Sequence, residues 1–530
     1  MSHTSDIIEE KRGAYADHLI VPVMDAEHDP KELAVAEDVI LAESKYTESD
    51  YKKLKRKFDL ILLPCMMLTY GLQFADRVSL SSGVVFGLRT DTHLTSQEYS
   101  NLTVFFYVAY LAGQFPMGYI MQKLPLGRTL GSSVILWGIV VIGLGVCQNY
   151  GQLSALRVLL GWFECAITPG FLFIISSWYK RSESTLRSCF FFAMNSFMGG
   201  IFNLIIYAIA KKTETNGHIA GWRAINFFLG ATTVLSGILL FVFVGVPKDV
   251  WWLNKEEKKM AHARIVANGN GDGAQKPWNW TQVRECFRDP QYYFTILFNL
   301  TATIPNGMLG TFTNLVYVGF GFTPLESVLY GLPSNAVGFT VVICSAFFVH
   351  YYPKMRFPVA ILWILVEMIV FLYGTVADDD IAEWQLWSCF LFSGVFACTT
   401  FMLWPIMSIN TAGRTKKTFI SATGLIAYCA GNVVGSQTMR ASDAPRYLTG
   451  LTANAIVLAV EVVVLLCWYA YYNWENRRRE RAFEESGLGW EEREYQNKLA
   501  GETDVTDLGK FGSLRALMAW INQTALTMSE

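Results

Sequence analysis

Two acids and two bases lie inside stretches that are otherwise apolar: Asp76 and Arg77 in FADRVSL, and Arg157 and Glu164 in RVLLGWFE. Carboxylates take up and release protons, and guanidinium forks grip anions. At a bilayer centre an ionised side chain costs roughly 2.5–3.5 kcal/mol on insertion scales, so four facing lipid would cost on the order of 10 kcal/mol. Equal numbers of each sign permit mutual neutralisation across a bundle interior, and such residues usually mark an ion or substrate path. Buried ion pairs can also do no more than hold two helices in register. Two pairs in one half of a chain exceed what register requires.

The spacing predicts a geometry. Arg157 and Glu164 are seven residues apart, so about 700° of rotation returns them to one helix face, roughly 10.5 Å apart. Asp76 and Arg77 are adjacent and diverge by about 100°. The simplest neutralising arrangement pairs Asp76 with Arg157 and Arg77 with Glu164. When Glu164 takes a proton, Arg77 loses its partner and can accept a substrate carboxylate. Burial and a neighbouring arginine push a carboxyl in opposite directions, so proton and substrate would enter together.

The elements that position these residues follow from composition and hydropathy. The chain has 530 residues, 52% hydrophobic, 14% aromatic and only 17% charged, against about a quarter charged in soluble proteins. Twelve apolar segments approach the roughly 20-residue length that crosses a bilayer: 59–86, 100–122, 129–147, 152–178, 187–210, 224–246, 292–317, 326–352, 357–376, 384–408, 418–438 and 447–473. A polar stretch, 247–290, divides them six and six. Lysines and arginines cluster in KKLKRK (52–57), Lys180, Arg181 and Arg187, Arg414, Lys416 and Lys417, and RRRER (477–481). With the amino terminus inside, all of these are cytoplasmic, as the positive-inside rule requires; Lys211, Lys212 and Arg223 are exceptions. The first fifty-odd residues lack a signal-peptide pattern. The expected architecture is an all-α integral membrane protein of twelve transmembrane helices in two six-helix bundles, the major facilitator fold, whose halves rock about a central site. Its parts are a cytosolic tail (1–57), a bundle (58–246), a cytosolic loop (247–290), a second bundle (291–473) and a cytosolic C-terminal tail (474–530).

Several function classes are disfavoured. The ten cysteines form no CxxC or Cys/His pair of metal-ligand spacing and the seven histidines are scattered, so no metal or other cofactor is expected. There is no GxxxxGK[ST] loop for ATP-driven pumping and no GxSxG elbow; the chain does not read as an enzyme. Its basic clusters flank apolar spans and form no domain of their own, which speaks against nucleic-acid binding.

Certain motifs carry a resemblance. Asp76-Arg77, Arg157 to Glu164 with Pro169-Gly170, and Gly221-Trp222-Arg223 resemble the anion:cation symporter branch of the major facilitator superfamily. The block 410–450, NTAGRTKKTFISATGLIAYCAGNVVGSQTMRASDAPRYLTG, is similar to the fungal allantoate permease family, as are Pro305-Asn306-Gly307 and GFGFTPLESVLYGLPS (319–334). This resemblance implies proton-coupled symport of a small carboxylate: allantoate or ureidosuccinate, a vitamin such as nicotinate, or a small peptide. It implies that Asp76 and Glu164 carry protons, that Arg77 binds the substrate carboxylate, and that Tyr110 and Asn432 contact substrate; Arg157 is the remaining ion-pair partner. The alternative is an exporter or exchanger of a carboxylated metabolite. The expected partners are the substrate, protons and the lipid bilayer, around a monomer in the plasma membrane with both termini cytoplasmic. One departure stands out: Gln122 replaces the acid of the superfamily's loop after span two. Glu367 and Glu461 are further buried-looking acids without motif support, read as interhelical hydrogen-bonding groups. Residues 512–526 are compatible with a short amphipathic surface helix or a disordered tail.

Overall fold

The computed structural model of the chain describes residues 48–179, 181–217, 219–265, 279–377, 382–409, 411, 414–439, 443–444 and 446–486. The first 47 residues, most of the acidic loop 377–383, residues 512–526 and the Gln122 side chain lie outside the described residues. The predicted spans become, in order, α1 (Glu48–Val85), α2 (Ser96–Lys123), α3 (Leu126–Leu144), α4 with α5 (Tyr150–Glu164, Ile167–Trp178), α6 (Arg181–Asn216), α7 (Gly221–Phe243), α8 (Pro290–Gly319), α9 with α10 (Pro324–Leu329, Gly331–Tyr351), α11 (Arg356–Val376), α12 with α13 (Glu383–Phe390, Phe396–Ile409), α14 (Arg414–Ser436) and α15 (Leu448–Ser486). Among the described residues, nine helical stretches are long and apolar enough to cross a bilayer. Of the remaining three, α8 is a continuous helix that carries Asn299, Asn306 and Asn314 among its apolar residues, the α12–α13 span is broken at 391–395, and more than a third of α6 has side chains outside the described set.

Helix breaks have local causes. Proline removes a backbone donor and crowds the carbonyl four residues earlier. Pro169 therefore frees the Cys165 carbonyl, and Gln114 Nε2 donates to it at 3.1 Å. The break leaves Glu164 as the last residue of α4. Pro333 likewise disfavours a helical bond to Leu329, where α9 ends. Two expected boundaries move outward: α1 begins at Glu48 and α15 continues to Ser486, thirteen residues past the predicted span. Both extensions are rich in Lys, Arg and Glu, good helix formers, and Arg478 bonds Glu475 one turn back at 3.1 Å.

Contacts divide the chain into two units, 1–57 with 253–273, and 58–252 with 274–530. In the smaller unit Lys57 Nζ reaches both carboxylate oxygens of Glu257 at 2.8 Å. In the larger unit α3 packs along α7, α2 along α4, α8 along α14 and α11 along α15, while α2 meets α14 and α6 meets α10. Close approach of α3 and α7 requires glycine: a Cβ on Gly138 would stand 2.6 Å from the Val234 nitrogen, and one on Gly230 2.7 Å from that of Ile142. Small-residue contacts of this kind drive helix association in lipid. Large apolar side chains point outward, with Leu60 75%, Phe115 67% and Val376 78% exposed, as a lipid-facing surface demands.

One charge counted as a cytoplasmic surface lysine is interior. Lys416 is fully buried, with Nζ 2.9 Å from Asp289 and 2.9 Å from Glu285. Its backbone N–H donates to Gln282 at 3.1 Å, so the short helix Trp280–Cys286 is fastened to the start of α14. Burial pushes the adjacent Cys286 thiol up to about 11, with Lys416 opposing, which leaves it protonated rather than nucleophilic. Breaking a buried ion pair from one side costs about 3–5 kcal/mol. Lys416→Met is therefore expected to lower the melting temperature of the purified carrier by several degrees, and the triple change with Glu285→Gln and Asp289→Asn to recover part of that loss. An unchanged melting temperature in Lys416→Met would show that these charges are not coupled.

Candidate functional site

Asp76 and Arg77 of α1 and Arg157 and Glu164 of α4 lie within the larger unit, and the structure sorts them into two groups. Arg77 Nη2 donates to Glu164 Oε1 at 3.3 Å, joining α1 to α4. Its Nη1 donates to the Tyr428 hydroxyl on α14 at 3.2 Å. Glu164 is fully buried, whereas the Arg77 side chain retains 27% exposure, so the arginine is the member a solute can reach. The second Glu164 oxygen and Arg77 Nε make no hydrogen bond, leaving one acceptor and one donor for further partners.

Asp76 points elsewhere, as the 100° divergence of neighbouring helical residues requires. Its Oδ2 accepts from Trp137 Nε1 on α3 at 3.2 Å, and its backbone oxygen accepts from Ser79 at 2.7 Å. The expected Asp76–Arg157 pair is not an ion pair here: Arg157 is buried on α4, and its charge acts on Asp76 from beyond contact. The indole of Trp137 fills the place of a direct partner. That donor was not anticipated, because nothing in α3's sequence distinguishes it from packing.

Tyr110 is buried on α2, within electrostatic reach of Arg77, Glu164 and Tyr428. Tyr107 joins it, its ring 6.3 Å from that of Tyr428 and nearly perpendicular. On the other side Trp404 lies 6.1 Å from Tyr428 and donates to Asn299 at 3.0 Å. The arginine is thus surrounded by aromatic rings contributed by α2 and α14, with α13 behind. Asn432 occupies a different place from the one expected. It is fully buried in the α8–α14 contact, its Nδ2 donating to the Tyr428 carbonyl at 2.9 Å and its Oδ1 accepting from Asn306 at 2.7 Å. A Cβ on Gly307 would collide with the Asn432 backbone, so the two helices touch there. The residue reaching Arg77 is Tyr428, one turn earlier on the same face; that four-residue spacing is the signal that could have found it.

Across the end of the bundle where α1 finishes and α2 begins, polar groups tie the first six spans to the last six. Tyr99 donates to the Thr311 carbonyl at 2.5 Å and Thr103 meets the Thr311 hydroxyl at 3.2 Å. Asn314 bonds Ser81 at 3.1 Å through its backbone and Ser82 at 2.9 Å through its side chain. Gln97 donates to Gln437 at 2.7 Å.

Residues 66–436 match the family model of the Major Facilitator Superfamily. The chain is 30% identical to an uncharacterized transporter of Schizosaccharomyces pombe, over 86% of this chain and 87% of that one. It is 30% identical to the allantoate permease of Saccharomyces cerevisiae, over 84% of each. Its fold is similar to that of a bacterial homolog of the human lysosomal transporter Spinster, with a TM-score of 0.59, 15% identity, and coverage of 77% of this chain and 96% of that one. A helical multi-pass carrier fold, charges sequestered between helices and these likenesses have one reading: the chain belongs to the Major Facilitator Superfamily, among the fungal relatives of allantoate permease.

Proposed function

We propose that this transporter carries a small organic anion together with a proton, by alternating access, across the plasma membrane. One observation carries the reading: a single partly exposed guanidinium touches a fully buried carboxylate of the first six spans and a tyrosine of the last six. Protonation of Glu164 removes the counter-charge of Arg77 and frees the fork for a substrate carboxylate, which it binds bidentately. Tyr110 and Tyr428 flank that carboxylate, and Asn432 acts through the backbone of Tyr428. Asp76, steadied by Trp137 and influenced by Arg157, is the second proton carrier. The similarity to a protein named for allantoate, an organic anion, supports a carboxylate-bearing substrate.

The two halves, 58–246 and 291–473, move about this centre, with loop 247–290 and both termini on the cytoplasmic side. The hydrogen bonds from Tyr99, Gln97 and Asn314 close the end assigned to the exterior, so they break in each cycle. The test is uptake of labelled carboxylates into proteoliposomes. An outside-acid gradient is expected to raise internal accumulation at least about tenfold over a matched-pH control, a gain equivalent to the roughly 1.4 kcal/mol of one pH unit. Accumulation independent of the gradient, with flux only against internal substrate, would instead identify an exchanger.

A further inference from the structure

The second half holds two acids that the scheme above does not use. Glu367 stands near the middle of α11 and Glu461 in α15, and α11 packs along α15. Both are fully buried, and none of their four carboxylate oxygens has a hydrogen-bond partner. The charge that acts on Glu367 is that of Glu461. The elements packed on this pair offer no compensation. Helices α8 and α13 contain no Lys, Arg, His, Asp or Glu, and α12 contributes only Glu383 at its first residue. Lys354 lies just before α11 and Arg356 at its start, eleven or more residues from Glu367 and hence about 16 Å or more along the axis; on α15 the next charges, Glu475, Arg477 and Arg478, are about 21 Å or more from Glu461. Among the described residues, the backbone N–H of Phe396 is directed at Glu367, where the interrupted tenth span resumes as α13. It stops short of a hydrogen bond.

Two ionised carboxylates cannot share a site in the bilayer interior without a counter-charge: each alone is costly, and like charges held together oppose ionisation further. A hydrogen-bonding role alone, the reading suggested by the isolated sequence positions, does not fit oxygens that bond nothing. We propose that Glu367 and Glu461 form a second proton-binding site, within the last six spans and apart from the Arg77–Glu164 centre, which retains at least one proton at neutral pH. The proton takes the place of the missing cation and lets α11 pack on α15. This inference is independent of symport and of the substrate.

Infrared spectroscopy of the full chain in lipid vesicles tests it. At pH 7, wild type minus the double variant Glu367→Gln/Glu461→Gln is expected to show the C=O stretch of a protonated carboxylic acid, shifting in deuterium oxide and unchanged when sodium or potassium replaces choline. If the double variant does not fold, each single variant, Glu367→Gln or Glu461→Gln, is expected to keep a protonated-acid band of its own at a shifted frequency, because the remaining carboxyl still lacks a counter-charge. As pH rises from 7 to 9.5 the wild-type melting temperature should fall more steeply than that of the Gln variants, because the folded state holds a proton that the unfolded chain has already released. Absence of the protonated-acid band from the difference spectrum overturns the proposal. So does its loss on adding sodium or potassium, which would mark a metal-cation site, or an equal dependence of melting on pH in wild type and variants.

Discussion

Replacing Arg77 by alanine is expected to lower the uptake kcat/KM for the carboxylate substrate by two orders of magnitude or more. Two losses combine. The substrate carboxylate loses a charge-assisted partner worth about 1.5–3 kcal/mol. Glu164, fully buried against the arginine, loses its counter-charge, and one-sided removal of a buried ion pair costs about 3–5 kcal/mol. The second loss is relieved by neutralising the acid, so Arg77→Ala/Glu164→Gln should regain melting temperature without regaining uptake. Arg77→Lys keeps the charge but loses the fork that spans Glu164 and Tyr428, and is expected to raise KM about tenfold, since each 1.4 kcal/mol is a factor of ten. Initial rates in proteoliposomes, set beside thermal unfolding of the same preparations, separate the two losses. Undiminished affinity in Arg77→Lys would take Arg77 out of the substrate site.

Glu164→Gln is expected to abolish accumulation driven by a pH gradient while leaving exchange of external for internal substrate. Glutamine has the shape of the protonated acid and cannot ionise, so the variant stays in the form in which Arg77 is available. Gradient-driven accumulation should fall to the no-gradient level, and exchange should stay within a few-fold of wild type. The pH dependence of exchange should flatten as well, because the group that titrates beside the arginine is gone. If Glu164→Gln still accumulates substrate up a pH gradient, the coupling proton rides elsewhere, with Asp76 the next acid to test.

Much of the architecture was legible because lipid imposes strict rules on sequence. A span must be apolar and about 20 residues long, so the helical segments could be placed without coordinates, and nine of them, among the described residues, are long and apolar enough to cross a bilayer. The interruptions were harder. Pro169 reads as a possible break, but that Gln114 satisfies the freed carbonyl depends on α2 lying against α4. Lys416 belongs by sequence to a cytoplasmic basic cluster; only the fold brings Asp289 and Glu285 to it.

The charged quartet shows the same division. Its insertion cost and the equality of its signs are properties of composition, and the divergence of Asp76 from Arg77 is a property of any helix. These identified the residues and sent the two side chains in different directions. Partner choice was another matter. Two arginines and two acids admit several neutral arrangements, and helical periodicity says nothing about how far one helix stands from the next. The tertiary structure makes the expected Arg77–Glu164 pair, but gives Asp76 the indole of Trp137 rather than Arg157 and brings Tyr428 in from more than three hundred residues away. Glu367 and Glu461 are the sharpest case: each alone resembled a polar group awaiting an interhelical bond, and only the packing of α11 on α15 put two carboxyls together without a cation. The sequence by itself determined which charges enter the membrane, because that cost is paid residue by residue; which of them meet was decided by helix packing, a property of pairs of helices distant along the chain.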